Sequence, residues 1–147
     1  MRAVVTRVKN ASVTIEGRVN GEIGQGFLVL LGVGPNDTEA QAAKMADKIC
    51  GLRVFADQAG KMNLNLEAVG GSLLVVSQFT LYADIKSRRP GFTKAAPPAV
   101  AIPLYEKFMD LCRARGFRVE HGEFGADMAV SSVNDGPVTI WMDTDTL

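Results

Sequence analysis

The sequence predicts an α+β protein in which layered β-sheets carry their helices on one side. Three observations favour this class. Short runs of β-branched and aromatic residues recur along most of the chain. Only two segments show the periodicity of amphipathic helices. The 147 residues, 47% of them hydrophobic, suffice for one core, and no linker or repeat divides them. We therefore expect a single compact domain spanning residues 1–147.

The first half of the chain predicts strands, then a helix. Strands are expected at 3–8, 12–17 and 27–33, with a hairpin turn at Asn20-Gly21. The third of these, FLVLLGV, is apolar on both faces, which places it centrally in a sheet. Thr38 and Gln41 have the spacing of a capping box, and helical periodicity continues to about Val54.

The second half predicts a buried strand at 73–82, LLVVSQFTLY, and then a loop rich in charge and proline. A second helix is expected over roughly 98–115, where Pro103 indicates a late start or a kink and Gly116 a C-terminal stop. Three short strands complete the chain: FRVEHGEF, DMAVSSVN and PVTIWMD.

Charge and cysteine content restrict the function classes. Sixteen basic and sixteen acidic residues cancel, so any contact with RNA must come from a local patch. Cys50 and Cys112 are predicted to be buried, reduced thiols. The N-terminal segment lacks a signal-peptide pattern, and the longest apolar run, 27–33, is too short to span a bilayer. We expect a soluble, cytoplasmic protein without a membrane partner.

Most of the familiar catalytic patterns are missing. His121 is the single histidine, and no cluster of Cys, His and carboxylate residues has the spacing of metal ligands, so no metal site is predicted. A nucleophile elbow is also missing, and the glycines of GEIGQG and GVGP do not form a phosphate-binding loop. No cofactor is predicted.

Two stretches are more informative. In SQFTLY, the polar residues Ser77, Gln78 and Thr80 follow a buried run without loss of β-character. Strand alternation would place Ser77 and Phe79 on one face and Gln78 and Thr80 on the other. The stretch is either a strand end entering solvent or a pocket of neutral donors and acceptors at the end of a central strand.

The second stretch is KSRRPGFTK, residues 86–94, which combines four cations with one aromatic residue. This composition suits phosphates and a stacked base, although a solvated basic loop has the same appearance. Near the C-terminus, NDGPVTIW contains a proline that cannot donate to a strand ladder. That proline belongs at a strand start, an edge or a bulge.

Together these stretches resemble the D-aminoacyl-tRNA deacylase family. The resemblance covers the whole chain and rests on RVKNASVTIEG, GKMNLN at 60–65, SQFTL at 77–81, RRPGF at 88–92 and NDGPVTIW at 134–141. It implies a homodimeric enzyme that hydrolyses the ester between a D-amino acid and the terminal ribose of tRNA. It also implies removal of misplaced glycine, including from tRNA that should carry alanine, without a metal or organic cofactor.

The resemblance further implies that the Gly136–Pro137 bond is cis and that this dipeptide enters the pocket of the other subunit. The two carbonyls would face the substrate ammonium, and the backbone beside them would accept hydrogen but reject an L side chain. Glycine would pass in either orientation. For tRNA binding, Arg88, Arg89 and Lys94 would lie near phosphates, and Phe92 near a base or the pocket rim.

The catalytic residues implied by the resemblance are Ser77, Gln78, Phe79 and Thr80. Backbone N–H groups near Phe79 and Thr80 would stabilise the oxyanion, and Gln78 would orient the ester or ribose. Either Thr80 is a nucleophile, which needs an activating base, or the neighbouring ribose hydroxyl of the tRNA positions or activates water. We favour the second. Two other functions stay open: a non-catalytic RNA-end or nucleic-acid-binding protein on the same fold, and an editing module that serves one synthetase.

Overall fold

The computed structural model describes residues 1–147 as eight β-strands, two α-helices and one short 3₁₀ turn. The helices are α1 (Glu39–Gly51) and α2 (Pro98–Ala114), and the 3₁₀ turn is Phe79–Tyr82. The strands are β1 (Arg2–Ile15), β2 (Arg18–Ile23), β3 (Gly26–Gly32), β4 (Phe55–Ala56), β5 (Met62–Leu64), β6 (Ser72–Ser77), β7 (Val119–His121) and β8 (Ala129–Asp143).

Six strands form one mixed sheet, which confirms the α+β class. Five of them follow the order β2-β1-β3-β6-β7, and β8 pairs with β1. The β1 pairings with β2, β3 and β8 are antiparallel, whereas β3–β6 and β6–β7 are parallel. The apolar run at 27–33 supplies the middle strand, as predicted. The small β4–β5 hairpin is separate from this sheet.

The N-terminal strands differ from the prediction because β1 is one continuous strand of 14 residues. Its first half pairs with β3 and its second half with β2, so the strand passes from one neighbour to the next. The predicted turn at Asn20-Gly21 is wrong: Glu16 and Gly17 make the turn, with φ of 50° and 75°. Positive φ at both central residues is what a tight hairpin requires.

Strand β8 is also continuous, where the sequence predicted two separate strands. It has 15 residues and pairs with β1 along nearly its whole length, so residues 129–143 lie at an edge of the sheet. The pairing register is irregular around the Gly136–Pro137 position: Val8 pairs with Asn134, whereas Thr6 pairs with Thr139. The expectation that Pro137 lies at an edge or a bulge is confirmed.

Both helices begin and end with recognisable signals. The capping box is present, because Thr38 accepts from the backbone of the first turn and the Gln41 side chain accepts from Thr38 N–H. Helix α1 ends at Gly51, earlier than the predicted Val54, and α2 begins at Pro98, so a late start at Pro103 is wrong. Gly116 has φ of 91° and donates to Arg113 O at 2.9 Å, which confirms the stop.

The apolar residues form two clusters. The larger contains the buried residues of both helices together with Phe27, Val29 and Leu31 of β3, and the smaller contains Leu28 of the same strand. Strand β2 curls toward β7, since the Asn20 side chain donates to His121 O at 2.7 Å. Neither helix combines the length and apolar character needed to cross a bilayer.

The start of β3 tolerates no side chain, and we expect Gly26→Ala to destabilise the protein strongly. A Cβ at this position would lie 1.9 Å from the carbonyl oxygen of Ser72, on the neighbouring parallel strand. Because only a shift of backbone can relieve this overlap, the expected loss exceeds about 4 kcal/mol. Urea unfolding measures it, with Gly24→Ala as the matched control, since a Cβ there meets nothing within 4 Å. Equal unfolding midpoints would contradict the expectation.

Candidate active site

The polar residues after β6 lie in a turn, which corrects the predicted strand. Ser77 is the last residue of β6, and the chain turns at Gln78 into the 3₁₀ segment Phe79–Tyr82. The turn lies directly on β3: Gln78 N–H donates to Leu31 O at 2.8 Å, and a Cβ on Gly32 would lie 2.9 Å from Gln78 O. The alternation predicted for residues 77–80 is therefore wrong.

A cavity of about 280 Å³ opens beside this turn. One wall is Val76–Phe79, and the other is formed by residues 125–128 with Val130. A second, much smaller space lies behind Ser77 and reaches Tyr105 and Phe124. The site thus occupies the carboxyl end of a central strand, where parallel sheets commonly bind ligands. Asp127, which lines the larger space, is the only residue with a carboxylate side chain among those that line either space.

The polar side chains of the cavity wall belong to Ser77, Gln78 and Asp127, and the other lining residues are apolar or glycine. The Gln78 side-chain amide donates to the Thr80 hydroxyl, and both residues are at least partly exposed. The first N–H groups of a 3₁₀ turn have no acceptor within that turn, which leaves the backbone of Phe79 and Thr80 suited to an oxyanion. No group of three Cys, His or carboxylate side chains is arranged to hold a metal ion.

The basic loop packs against the same turn through Phe92. Asp84 and Gly91 exchange two backbone hydrogen bonds, of 2.7 and 2.9 Å, which close the loop at its base. Phe92 then packs edge-on against Phe79, with ring centroids 4.9 Å apart. The side chains of Arg88 and Arg89 are exposed, and Lys94 lies 3.9 Å from the Asp84 carboxylate.

The Gly136–Pro137 peptide bond is cis, and both residues are exposed. Arg7 anchors the chain just before them: its Nε donates to Asp135 O at 3.0 Å, and its Nη1 donates to Val54 O. The side chain of Asn134 also spans the turn, since its Oδ1 accepts from Val138 N–H at 3.1 Å.

The match to known sequences decides the family. Residues 4–143 match the family model described as D-Tyr-tRNA(Tyr) deacylase. The chain belongs to this family. A D-aminoacyl-tRNA deacylase of Thermosipho africanus is 54% identical over 145 residues, covering 98% of this chain and 97% of that protein. One of Roseiflexus castenholzii is 56% identical over 145 residues, covering 98% and 92%.

Solved structures agree on the fold. The c-Myc DNA unwinding element binding protein superposes with a TM-score of 0.91 at 41% identity, covering 97% of this chain and 98% of that one. A probable eukaryotic D-amino acid tRNA deacylase superposes with a TM-score of 0.85, covering 96% and 97%. Its identity is 16%, so this second likeness concerns the fold alone.

In this member of the deacylase family, the predicted site residues fall into two groups. Ser77, Gln78 and Phe79 line the cavity, and Phe92 of the loop reaches it through Phe79. Thr80 is not among the lining residues of the cavity, and neither are Gly136 and Pro137 of the same chain.

Sequence reasoning missed the wall at 125–128 and the anchor at Arg7. The sequence holds no local signal for Arg7, because its partner Asp135 is 128 residues away. The wall residues GADM follow a short strand and carry no catalytic pattern.

Proposed function

We propose that this protein is a D-aminoacyl-tRNA deacylase, a hydrolase that releases the D-amino acid and free tRNA from the ester. The observation that carries the proposal is the near-complete coverage of relatives with that name at more than half identity. The cavity at the end of β6 suits this reaction, since hydrolysis of an activated ester depends more on stabilising the developing negative charge than on a strong base.

Within the cavity, we assign the ester to the segment Ser77–Thr80. The backbone N–H groups of Phe79 and Thr80 would hold the developing oxyanion, and the Gln78 amide would orient the ester or ribose. Removing one such donor in other enzymes costs about 10²–10³ in rate. The exposed ring of Phe79, supported edge-on by Phe92, offers an aromatic face to the terminal base.

We assign chiral selection to Gly136 and Pro137 of a partner subunit. In their own chain these residues lie outside the cavity, and they are exposed on an edge strand. The carbonyls would bind the substrate ammonium, and the backbone would leave room for hydrogen but not for an L side chain. Glycine, with no side chain, would also be removed, as from mischarged tRNA that should carry alanine.

The proposed homodimer has a suitable surface on β8. This strand of 15 residues pairs with β1 on one side and with no strand on the other. Its residues Val130, Val133 and Trp141 are between 39% and 54% exposed. A long edge with exposed apolar side chains favours association with a second copy. Arg7 would then hold the dipeptide in a fixed position for the partner's cavity. We also propose cytoplasmic action on aminoacyl-tRNA without a metal cofactor.

The loop at 86–94 would hold the acceptor end of the tRNA through Arg88, Arg89 and Lys94. If so, replacing Arg88 and Arg89 together by glutamine should reduce the slope of log K against log salt by about 1.5, since each lost phosphate contact removes 0.7–0.9. Filter binding of deacylated tRNA at several salt concentrations measures the slope. Arg18→Gln, an exposed arginine on β2, serves as the control. An unchanged slope in the double variant would move the phosphate contact elsewhere.

A second candidate function is nucleic-acid binding without turnover. It is favoured by the 41% identity to a protein named for binding a DNA unwinding element. In that case the basic loop would bind nucleic acid and the cavity beside Phe79 would be incidental. A hydrolysis assay distinguishes this candidate from the enzyme.

The experiment follows hydrolysis of D-tyrosyl-, L-tyrosyl- and glycyl-tRNA by the purified protein with a chelator present. Rapid loss of the D- and glycyl esters with the L-ester spared is the expected result. Tight binding without turnover would favour the nucleic-acid-binding candidate, and equal attack on both enantiomers would overturn the chiral filter. Testing tRNAs of several identities separates a general enzyme from a module that serves one synthetase.

A further inference from the structure

Two thiols meet where the two helices end. Cys50 lies in the last turn of α1 and Cys112 in the last turn of α2. Their sulfur atoms are 3.8 Å apart, and both residues are buried, which confirms that part of the prediction. The two sulfur atoms are thus in van der Waals contact, and a disulfide bond, with an S–S length of about 2.0 Å, requires them to move closer by about 1.8 Å.

Only one of the two cysteines lines a surface cavity. Cys50, at 4% exposure, forms part of the wall of an open cavity of about 540 Å³, whereas Cys112 is fully buried and does not line it. The cavity wall is polar and carries the cations Lys48, Arg53 and Arg115 beside two carboxylates. A small polar reagent in this cavity therefore reaches Cys50 first.

The pair is also chemically asymmetric. The hydrogen bond between the two thiols lowers the pKa of Cys50; burial opposes this effect, and the Arg115 guanidinium adds to it. The same hydrogen bond, together with burial, raises the pKa of Cys112. The cysteine that lines the cavity therefore has the lower pKa of the two, and the thiolate is the reactive form of cysteine.

We propose that Cys50 and Cys112 form a hydroperoxide-sensitive pair that oxidises reversibly to an intramolecular disulfide between α1 and α2. The Cys50 thiolate attacks one oxygen of the hydroperoxide: an S–O bond forms, the O–O bond breaks, and the leaving oxygen takes a proton. The sulfur loses two electrons and the hydroperoxide gains them. The Cys112 sulfur then attacks the sulfenic sulfur, the S–O bond breaks, and hydroxide leaves with the Cys112 proton as water.

The disulfide bond would stabilise the folded protein and leave the rate of ester hydrolysis nearly unchanged. Its closed loop spans 62 residues and includes β6 and the turn at 79–82. It joins the C-terminal ends of the helices, whereas Ala101 and Tyr105, which border the small space behind Ser77, lie nearer the start of α2. We expect the melting temperature to rise by roughly 10 °C on oxidation. Hydrolysis at room temperature should stay within about two-fold of the reduced rate, because neither cysteine lines the spaces beside Ser77 and Phe79.

The test treats the purified, reduced full-length protein with hydrogen peroxide, then alkylates it in denaturant and weighs it. The expected product carries no alkyl group, is two hydrogens lighter, runs as a monomer on a non-reducing denaturing gel, and is restored by dithiothreitol. Two alkyl groups after treatment, or a disulfide between chains, would overturn the proposal.

Two variants report the order of steps. In Cys112→Ser, Cys50 should stop at the sulfenic acid and be trapped by dimedone. In Cys50→Ser, Cys112 should still alkylate fully in denaturant after the same peroxide exposure. Oxidation of Cys112 in Cys50→Ser at the wild-type rate would overturn the assigned order. Failure of either variant to fold leaves the wild-type mass and melting measurements as the deciding test.

Discussion

Replacing Gly136 by alanine is expected to lower hydrolysis of D-tyrosyl-tRNA by at least about 100-fold, because small displacements of substrate-positioning groups have effects of this size. Gly136 has φ of 125°, a conformation that L side chains rarely adopt. An added Cβ would lie 2.9 Å from Arg7 Nη2 and 2.9 Å from Val138 Cγ2. The dipeptide or its arginine anchor must therefore move, and the wall that we propose it forms in the partner's cavity would be lost.

Single-turnover hydrolysis of D- and L-tyrosyl-tRNA measures the effect, with the melting temperature recorded to show that the variant folds. Gly24→Ala is the control, since its Cβ meets nothing within 4 Å. Arg7→Lys gives a second readout: one ammonium cannot reproduce the guanidinium bonds to Asp135 O and Val54 O, so a smaller loss in the same direction is expected. A folded Gly136→Ala protein with unchanged rate and selectivity would remove the dipeptide from the site.

The sequence predicted that polar residues follow the buried strand β6, but not the conformation of the segment that carries them. Residues 73–82 have β-character throughout, yet the strand ends at Ser77 because Gln78 bonds to the end of β3 and the chain folds over Gly32. That close approach depends on a glycine 46 positions earlier, on another strand. Local propensity carries no information about such a contact.

The glycines near the N-terminus also show that a distant contact can decide the role of a residue. Asn20-Gly21 has the composition of a hairpin turn, but no turn forms there. A glycine is needed at position 21 because an added Cβ would lie 2.9 Å from the backbone carbonyl oxygen of His121. The turn falls at Glu16 and Gly17, a pair with weaker turn preference. Capping signals, which act within four residues, were predicted correctly at Thr38 and Gly116. The close approaches at Gly32 and Gly21, which depend on distant chain segments, were not predicted.

The second large effect concerns the source of the catalytic proton transfer. Thr80→Val should retain hydrolysis to within about three-fold, whereas removing the 2′-hydroxyl of the terminal adenosine should lower it by at least about 10², the lower range for general acid–base assistance. The Thr80 hydroxyl already accepts from the Gln78 amide, and no histidine or lysine lines the cavity to activate it. The 2′-hydroxyl of the terminal adenosine is then the neighbouring group that we expect to assist proton transfer at the ester.

Asp127 is the residue that challenges this mechanism. It is the single carboxylate of the cavity wall and is exposed, so a solvated base at the rim is the structural alternative to the ribose hydroxyl. The variant Asp127→Asn preserves the size of the side chain and separates the two. Near-normal hydrolysis with the 2′-deoxy substrate inert supports assistance by the substrate. A loss of about 10² or more in Asp127→Asn, with the 2′-deoxy ester still cleaved, would assign the base to the protein. The full loss in Thr80→Val alone would instead make the threonine the nucleophile.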